Sequence, residues 1–263
     1  MLRVLTLNLW NVAGPWKERR EEIVAWLRNL SADVVCVQEV LADADGPRNT
    51  AHWIAENTGY DHVALGLVEG RPGMLFGNAV LATTPIDHEA VHLLPTEERP
   101  GDVQRLLLHA RTGGVDVFTT HLTSLYECGE QRERQVVRID EVIRAEADPA
   151  SALPPILAGD FNAEPDSTEI RFLTGSTSLQ GRSTYYQDAW RVAGGREPGW
   201  TWSNANPFAA AEHEPDRRID YVFAGWRRDD GRGRITACSV VADRPLSGTW
   251  PTDHFGLLAD IAT

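Results

Sequence analysis

The sequence predicts a layered α/β or α+β sandwich, and three observations carry that prediction. Short runs rich in valine, isoleucine and leucine recur along the whole chain at strand-like length. A few longer segments with helical periodicity fall between them, the pattern of sheets covered by helices. Hydrophobic residues make up 42% of the 263 positions, enough to build a sizeable core. Residues 1–263 read as a single domain, because no repeat or low-complexity linker divides them. The Pro/Gly/Ser-rich stretches near 94–102, 175–183 and 194–207 are short enough to be loops within it.

Element by element, RVLTLNLW is nearly continuous in apolar residues and suits a strand buried on both faces. WKERREEIVAWLRNLSADV follows as a helix, with Ile23, Leu27 and Leu30 on one face and Arg and Glu covering the other. DVVCVQEV is a second buried strand and PRNTAHWIAENTGY a short helix; GNAVLATTPI is a strand that stops at Pro85. QRLLLHARTGGVDVFTTHLTS reads as two strands joined at Thr112-Gly113-Gly114, a strong hairpin signal. GEQRERQVVRIDEVIRAEA gives a long helix with Val136, Ile139 and Ile143 on one face. PPILAG is the next strand, then a loop-rich region from 163 to 205, then the strands RIDYVFAGW, RITACSVVA and HFGLLADIA.

Charge and cysteine content exclude several classes. With 25 basic against 38 acidic residues the net charge is −13, which argues against broad adhesion to DNA or to an anionic membrane. It leaves room for a local basic patch around one phosphate. Cys36, Cys128 and Cys238 are far apart and odd in number, with no CxxC pair, so neither a zinc ribbon nor a disulfide scaffold is expected. The N-terminus MLRVLTLNLW reads as a first strand rather than a signal peptide, and no apolar run approaches membrane-spanning length. The expectation is a soluble, cytoplasmic protein without stable membrane insertion.

Polar residues recur where these strands finish. Asn8 ends the first, Gln38-Glu39 the second and His121 the return strand of the hairpin. In LPPILAGDFNAEPDS an apolar run stops at Gly159-Asp160-Phe161-Asn162. Alternation along a strand would point Asp160 and Asn162 the same way, and the glycine before them permits a bend or a close approach. Taken alone, the stretch is more simply an ordinary strand end running into an Asx-turn. Asp220 sits inside RRIDYVF, and Asp253-His254 opens the last strand. Singly, each has an innocent explanation: a turn-forming Asn, a core histidine, or an ion pair between Asp220 and Arg217 or Arg218. Six such positions together are harder to dismiss.

In order, the segments TLNLW, VQEV, GNAVLATTPI, TTHLTS, LAGDFNAEPDS, DRRIDYVF and TDHFGL resemble the endonuclease/exonuclease/phosphatase superfamily. Its members include deoxyribonuclease I, abasic-site endonucleases, neutral sphingomyelinases and inositol polyphosphate 5-phosphatases. GDFN and the terminal Asp-His are the specific parts. The resemblance implies a deoxyribonuclease I-like four-layer α/β sandwich, two packed mixed sheets flanked by helices, with the active site at one end. It also implies a Mg2+-dependent phosphoesterase, with Mn2+ as an alternative ion.

Such chemistry needs a cation to neutralise developing charge, a base for water, and donors for the non-bridging oxygens. The resemblance assigns metal binding to Glu39, Asn8 and Asp253, with Asn8 either adding an amide oxygen or orienting Glu39. It gives Asp160 the attacking water and Asn162 a phosphate oxygen, and it makes His121 a donor to the phosphoryl group. His254 becomes a base or a phosphate-binding imidazolium, with Asp220 holding its other nitrogen. Arg105 matches a phosphate-contacting arginine of some relatives. One departure stands out: several nucleases carry an acidic residue two positions after the first-strand Asn, where this chain has Trp10, so one metal is expected rather than two.

The substrate has to be read from the rim of the site, because the fold hosts many. A small or lipid-like phosphate ester leads, cleaved as a diester or monoester; a DNA or RNA nuclease is second, and a catalytically inactive binding module on the same fold is the alternative of another class. Trp200, Trp202 and Phe208 in GREPGWTWSNANPF either stack on a ligand or pack their loop onto the body. Oligomeric state is not legible.

Overall fold

A computed structural model describes residues 1–97 and 103–263. Of the stretch read as a loop at 94–102, residues 98–102 lie outside the described residues, and 94–97 carry no regular structure. The strands form two six-stranded sheets. The first contains β1 (Leu2–Asn8), β2 (Val34–Asp43), β3 (His62–Arg71), β4 (Met74–Ala82), β11 (Ile235–Val241) and β12 (Gly256–Ile261), in the order β11-β12-β1-β2-β4-β3. The second contains β5 (Ile86–Leu93), β6 (Leu106–Thr112), β7 (Val115–His121), β8 (Ile156–Asp160), β9 (Gln187–Asp188) and β10 (Asp220–Ala224), in the order β5-β6-β7-β8-β10-β9. Both are mixed: β1 runs parallel to β2 and β7 parallel to β8, and the other pairs are antiparallel.

The helices close the outer faces. α1 (Trp16–Leu30) and α2 (Thr50–Thr58) lay Ile23, Trp26, Leu27 and Ile54 on Leu5, Leu7, Val35 and Val37 of the first sheet. α3 (Gly129–Glu146) and α4 (Thr168–Leu173) cover the second with Val136, Ile139, Ile143, Ile170 and Phe172. Between the sheets, Val4, Val34, Cys36 and Leu257 meet Leu108, Val117, Ile156 and Val222. Strand side chains alternate between faces, so each central strand feeds two of these cores at once, and its sequence reads as an unbroken apolar run. The region 163–205, read as loop-rich, holds α4, β9 and a short helix α5 (Ala189–Ala193), and a further short helix α6 (Pro207–Ala210) follows it.

The four-layer sandwich is therefore what the chain forms. The hairpin turns where expected: Thr112 pairs with Val115 around Gly113 and Gly114, whose φ values of +56° and +74° suit a tight turn in which glycine is unstrained. Strands β3, β5 and β9 have no counterpart in the sequence reading. β5 is a half-exposed edge strand and β9 is two residues long, so neither carries the apolar run that marked the inner strands, whereas the edge strand β3 does have one in 63–68 that the reading passed over.

Glu22 shows how α1 supports the far end of the chain. Its carboxylate is buried and accepts from the backbone N–H of Leu246, Ser247 and Gly248 at 2.8, 2.8 and 2.9 Å, and from the Ser247 hydroxyl. Burial opposes its charge, but these donors outweigh burial and hold the carboxyl below its ordinary value. Replacing Glu22 with alanine is expected to cost about 3 kcal/mol, since three amides lose their acceptor. A group with a depressed folded pKa gives stability that is full above its unfolded value and lost as pH falls through the folded one. The gap between wild type and Glu22→Ala in urea denaturation should therefore close on acidification below the carboxylate range.

Candidate active site

Strand register brings the polar strand ends together. In the second sheet His121 pairs with Asp160, and Asp160 with Asp220, so three adjacent strands present them side by side. In the first sheet Asn8 lies opposite Gln38. The sheets are tied at this end by buried hydrogen bonds from Thr6 Oγ1 to Gln38 Oε1 (3.2 Å) and from Gln38 Nε2 to Thr119 Oγ1 (3.1 Å).

Glu39 reaches the site through an irregularity. Between Val37 and Val40 the pairing of β2 with β4 slips by one, leaving Gln38 and Glu39 opposite Asn78 alone. Glu39 has φ of +59°, a left-handed conformation unusual for glutamate. Such a bulge re-aims a side chain. Here it turns a carboxylate toward Asn8, whose Nδ2 donates to Glu39 Oε1 at 3.3 Å. Asn11 Nδ2 donates to the other oxygen at 2.9 Å.

Asp160 is the hub. Asn8 Nδ2 donates to its Oδ2 at 3.1 Å; His121 Nε2 is 3.5 Å and His254 Nε2 3.9 Å from the same oxygen. Its Oδ1 accepts from the backbone N–H of Asn162 at 2.9 Å. This is the Asx-turn that was the innocent reading of GDFN, and it coexists with the clustering: the turn is what holds the carboxylate's other oxygen toward Asn8 and the histidines. Asn162 itself has φ of +47° and donates Nδ2 to Leu122 O at 3.0 Å. Gly159, with φ of +151°, lies so close to β7 that a Cβ there would sit 2.0 Å from Thr120 O.

Across the cleft, His254 Nδ1 is 2.9 Å from Asp220 Oδ2. The ion pair with Arg217 or Arg218 that offered an innocent reading of Asp220 is not formed, because Arg217 bonds Glu214 and Arg218 bonds Asp188. Asp253 and His254 precede the last strand rather than open it: β12 begins at Gly256, and His254 bridges to Trp202 instead. The Thr252 hydroxyl lies 2.8 Å from Asn8 O and 3.1 Å from Asp253 Oδ1.

The amide of Asn8 is oriented by its neighbours. Its Oδ1 accepts from the Trp10 N–H at 2.9 Å, which directs Nδ2 to both carboxylates. Of the two options the sequence left open, this geometry fits orienting Glu39, and the amide oxygen is turned away.

Electrostatics follow from burial. Burial, with the charge of Asp220 added, lifts Asp160 to about 7, against the pull of His254. Burial, with the charge of Glu39 added, lifts Asp253 to about 6. His254 resists burial: the charge and hydrogen bond of Asp220, with Asp253 and Asp160 behind it, raise it to about 10. His121 goes the other way, held well below the ordinary histidine value by burial and by the positive charges of Arg105 and His254. Asp160 and Asp253 are buried carboxylates that resist ionisation, and with half-buried Glu39 they make an oxygen-rich donor set of the kind a hard divalent cation satisfies. Asp160, Asp220 and His254 also lie within 4.8 Å of one another, but Asp220 and His254 are bonded to each other.

Several supporting residues escaped the sequence reading. Arg19 is fully buried and donates to the carbonyls of Leu9, Trp10, Asn11, Ala13 and Pro251, clamping the loop after β1 to the segment before Asp253. A signal existed: Arg19 is four residues before Ile23, on the apolar face of its helix. Asn11 was visible only as a second asparagine near Asn8. Thr201 Oγ1 accepts from the N–H of Ile219 and Asp220, and Trp202 packs edge-on against His254 with centroids 5.0 Å apart. Trp202 is thus a packing residue, whereas half-buried Phe208 lies 4.8 Å from Trp10 and Trp200 is exposed. Arg105, beside β6, lines a groove of about 460 Å³ with His121, Arg71, Glu39, Met74 and Phe76.

The two packed sheets with their covering helices define a fold of the deoxyribonuclease I-like class. The profile of the Endonuclease/Exonuclease/phosphatase family matches residues 8–254, and the chain belongs to that family. Its members are hydrolases of phosphoester bonds, typically dependent on divalent metal. An endonuclease/exonuclease/phosphatase from Beutenbergia cavernae is 28% identical, with TM-score 0.72 over 99% of this chain and 71% of that one. TDP2 from D. rerio, solved with a single-strand DNA product, is 17% identical with TM-score 0.77 over 100% of this chain and 99% of that one, a likeness of fold. Protein angel of Drosophila melanogaster is 24% identical over 214 residues, 67% of this chain; the chain spans 57% of that relative's length. Among the described residues no helix is long and apolar enough to cross a membrane.

Proposed function

We propose that the protein is a Mg2+-dependent phosphoesterase that hydrolyses a phosphodiester or phosphomonoester of small size, with Mn2+ able to replace Mg2+. The observation that carries this reading is the convergence of His121 and His254 on Asp160 Oδ2, with Glu39 held by two amides beside it. Glu39, Asp160 and Asp253 would hold the cation, and Asn8 orients two of those carboxylates. When bound, the ion neutralises charge developing on the phosphoryl oxygens. Asp160 orients the attacking water. His254, as imidazolium held by Asp220, donates to a phosphoryl oxygen, and neutral His121 donates from one ring nitrogen. Asn162 and Arg105 complete the phosphate cradle. With its fold retained and each role filled, an active enzyme is a better reading than an inert binding module.

The groove beside Arg105 mixes cationic and apolar lining, which suits an ester whose leaving group is aromatic or nucleotide-like. A nucleic-acid end is the second reading, favoured by the half-buried Trp10–Phe208 pair, on which a base can stack. The net charge of −13 opposes extended contact with a strand. The comparisons lend no support to a lipid-like ester.

Turnover by stripped protein in EDTA is expected to vanish and to return with Mg2+ or Mn2+. Protons compete with the cation for Asp160 and Asp253, so the acid limb of the rate profile should move to lower pH as Mg2+ is raised. The substrate panel is bis-p-nitrophenyl phosphate, p-nitrophenyl phosphate, plasmid DNA, short RNA and sphingomyelin vesicles. Full activity in EDTA would sink the metal reading, and tight binding to random duplex at physiological salt would sink the small-substrate one.

A further inference from the structure

We propose a second metal site, of transition-metal rather than magnesium character, formed by His88, His109 and Glu146 where β5 and β6 meet the C-terminal end of α3. Each of the three offers one ligand atom, and these atoms all lie within 4.8 Å of one another. Tetrahedral zinc with bonds of about 2.0–2.1 Å holds its donors about 3.3 Å apart. His88 and Glu146 are exposed and free to rotate by the small amount required. Two imidazoles and one carboxylate are borderline-soft donors that select zinc or its neighbours over magnesium.

The decisive group is His109. It is completely buried, stacked on Phe118 with centroids 4.2 Å apart. Its Nε2 is 2.8 Å from Asp116 Oδ1. Asp116 also accepts from Arg111 Nε at 2.8 Å, Ser151 Oγ at 2.6 Å and the Asp148 N–H at 2.9 Å. Burial opposes its charge, yet these donors hold Asp116 below the ordinary carboxylate value, so it is ionised and can only accept. His109 must therefore place its proton on Nε2, which leaves the lone pair on Nδ1. That nitrogen is buried and has no hydrogen-bond partner among the described residues. A desolvated ring nitrogen with its lone pair unsatisfied calls for an explanation, and a bound cation supplies one. The rings of His88 and His109 meet edge-on with centroids 5.0 Å apart. A carboxylate that fixes the tautomer of a ligating histidine is the usual outer support of a protein metal site.

Charge around the cluster is compatible with a cation. Arg111 is the adverse neighbour, but it is bonded to Asp116 and lies 3.8 Å from Asp148. Burial keeps His109 below the ordinary histidine value, hence neutral and able to ligate at physiological pH. Bound metal would fasten β5, the edge strand of its sheet, to α3. No residue of the candidate active site takes part, so this site and the hydrolase reading stand or fall separately.

The test is Co2+ and Zn2+ binding by metal-free full chain in excess Mg2+, which occupies the oxygen-rich site. One equivalent of Co2+ should bind with the visible absorption of a low-coordinate nitrogen/oxygen site, and Zn2+ should displace it. Because His88 and Glu146 are exposed, His88→Ala and Glu146→Gln should fold, and each should lose the spectrum and the rise in thermal midpoint that Zn2+ gives wild type. Asp116→Asn should weaken binding about 10–100-fold. Mg2+-dependent turnover should be unchanged in His88→Ala. No binding by wild type at micromolar zinc, or equal binding by wild type and both exposed-ligand variants, would overturn the proposal.

Discussion

His254→Ala is expected to lose about 10²–10⁴-fold in turnover, the usual cost of removing a positioned acid–base group. The geometry gives the reason. His254 Nδ1 is bound by Asp220 at 2.9 Å, so Nε2 alone faces the cleft, 3.9 Å from Asp160. Asp220→Asn should be impaired as well, because an amide can present its nitrogen to the ring and reverse the tautomer. The double variant should be little worse than His254→Ala alone, since the two groups act as a unit. His254→Gln is the control for folding, because its amide keeps an N–H donor for the buried Asp220 carboxylate, which alanine would leave without one. The pH profile separates the two roles of the ring. Its pKa is raised from the ordinary 6.5 to about 10, so it is charged throughout the neutral range. As a phosphate-binding cation it should give a rate that is level through neutrality and falls as pH climbs past about 10. As a base it would give a rate that rises toward that value. Wild-type turnover in a folded His254→Ala protein would remove the centre of the proposed mechanism.

Gly159→Ala should cost about 4 kcal/mol or more in stability. Two penalties add. An alanine would have to adopt φ of +151°, which non-glycine residues avoid, and its Cβ would meet Thr120 O at 2.0 Å. The neighbour is backbone of β7 in a parallel pair, so relief requires moving the strand that ends in His121. Urea denaturation measures the loss, and residual activity per folded molecule should fall too, because Asp160 follows directly. Tolerance of Gly159→Ala at a cost below about 1 kcal/mol would mean that β8 does not take this path against β7.

The same stretch shows how far sequence carries. An apolar run ended by Gly-Asp-Phe-Asn is visible to inspection, and so are the buried inner strands, the amphipathic helices and the Gly-Gly hairpin, because each is encoded in local periodicity or turn chemistry. That information determined the layered architecture, and the ordered strand-end motifs determined the family. The edge strand β5 was illegible, since a half-exposed edge has no distinctive pattern. Which polar strand ends meet was decided by tertiary structure alone. The row His121–Asp160–Asp220 exists because three strands pair in one register, and a slip of one residue would turn every one of these side chains to the opposite face. Glu39 points to Asn8 because a bulge and a left-handed φ redirect it, and neither is written in VQEV. The sequence offered Asp220 three partners in Arg217, Arg218 and His254; packing gave the arginines to Glu214 and Asp188 and left Asp220 to the histidine. Local sequence determines which face a residue can occupy, because that depends on neighbouring dihedrals. Only the closed fold decides what lies across from it, because that depends on chain segments more than 100 positions away, as Asn8 and Asp160 are.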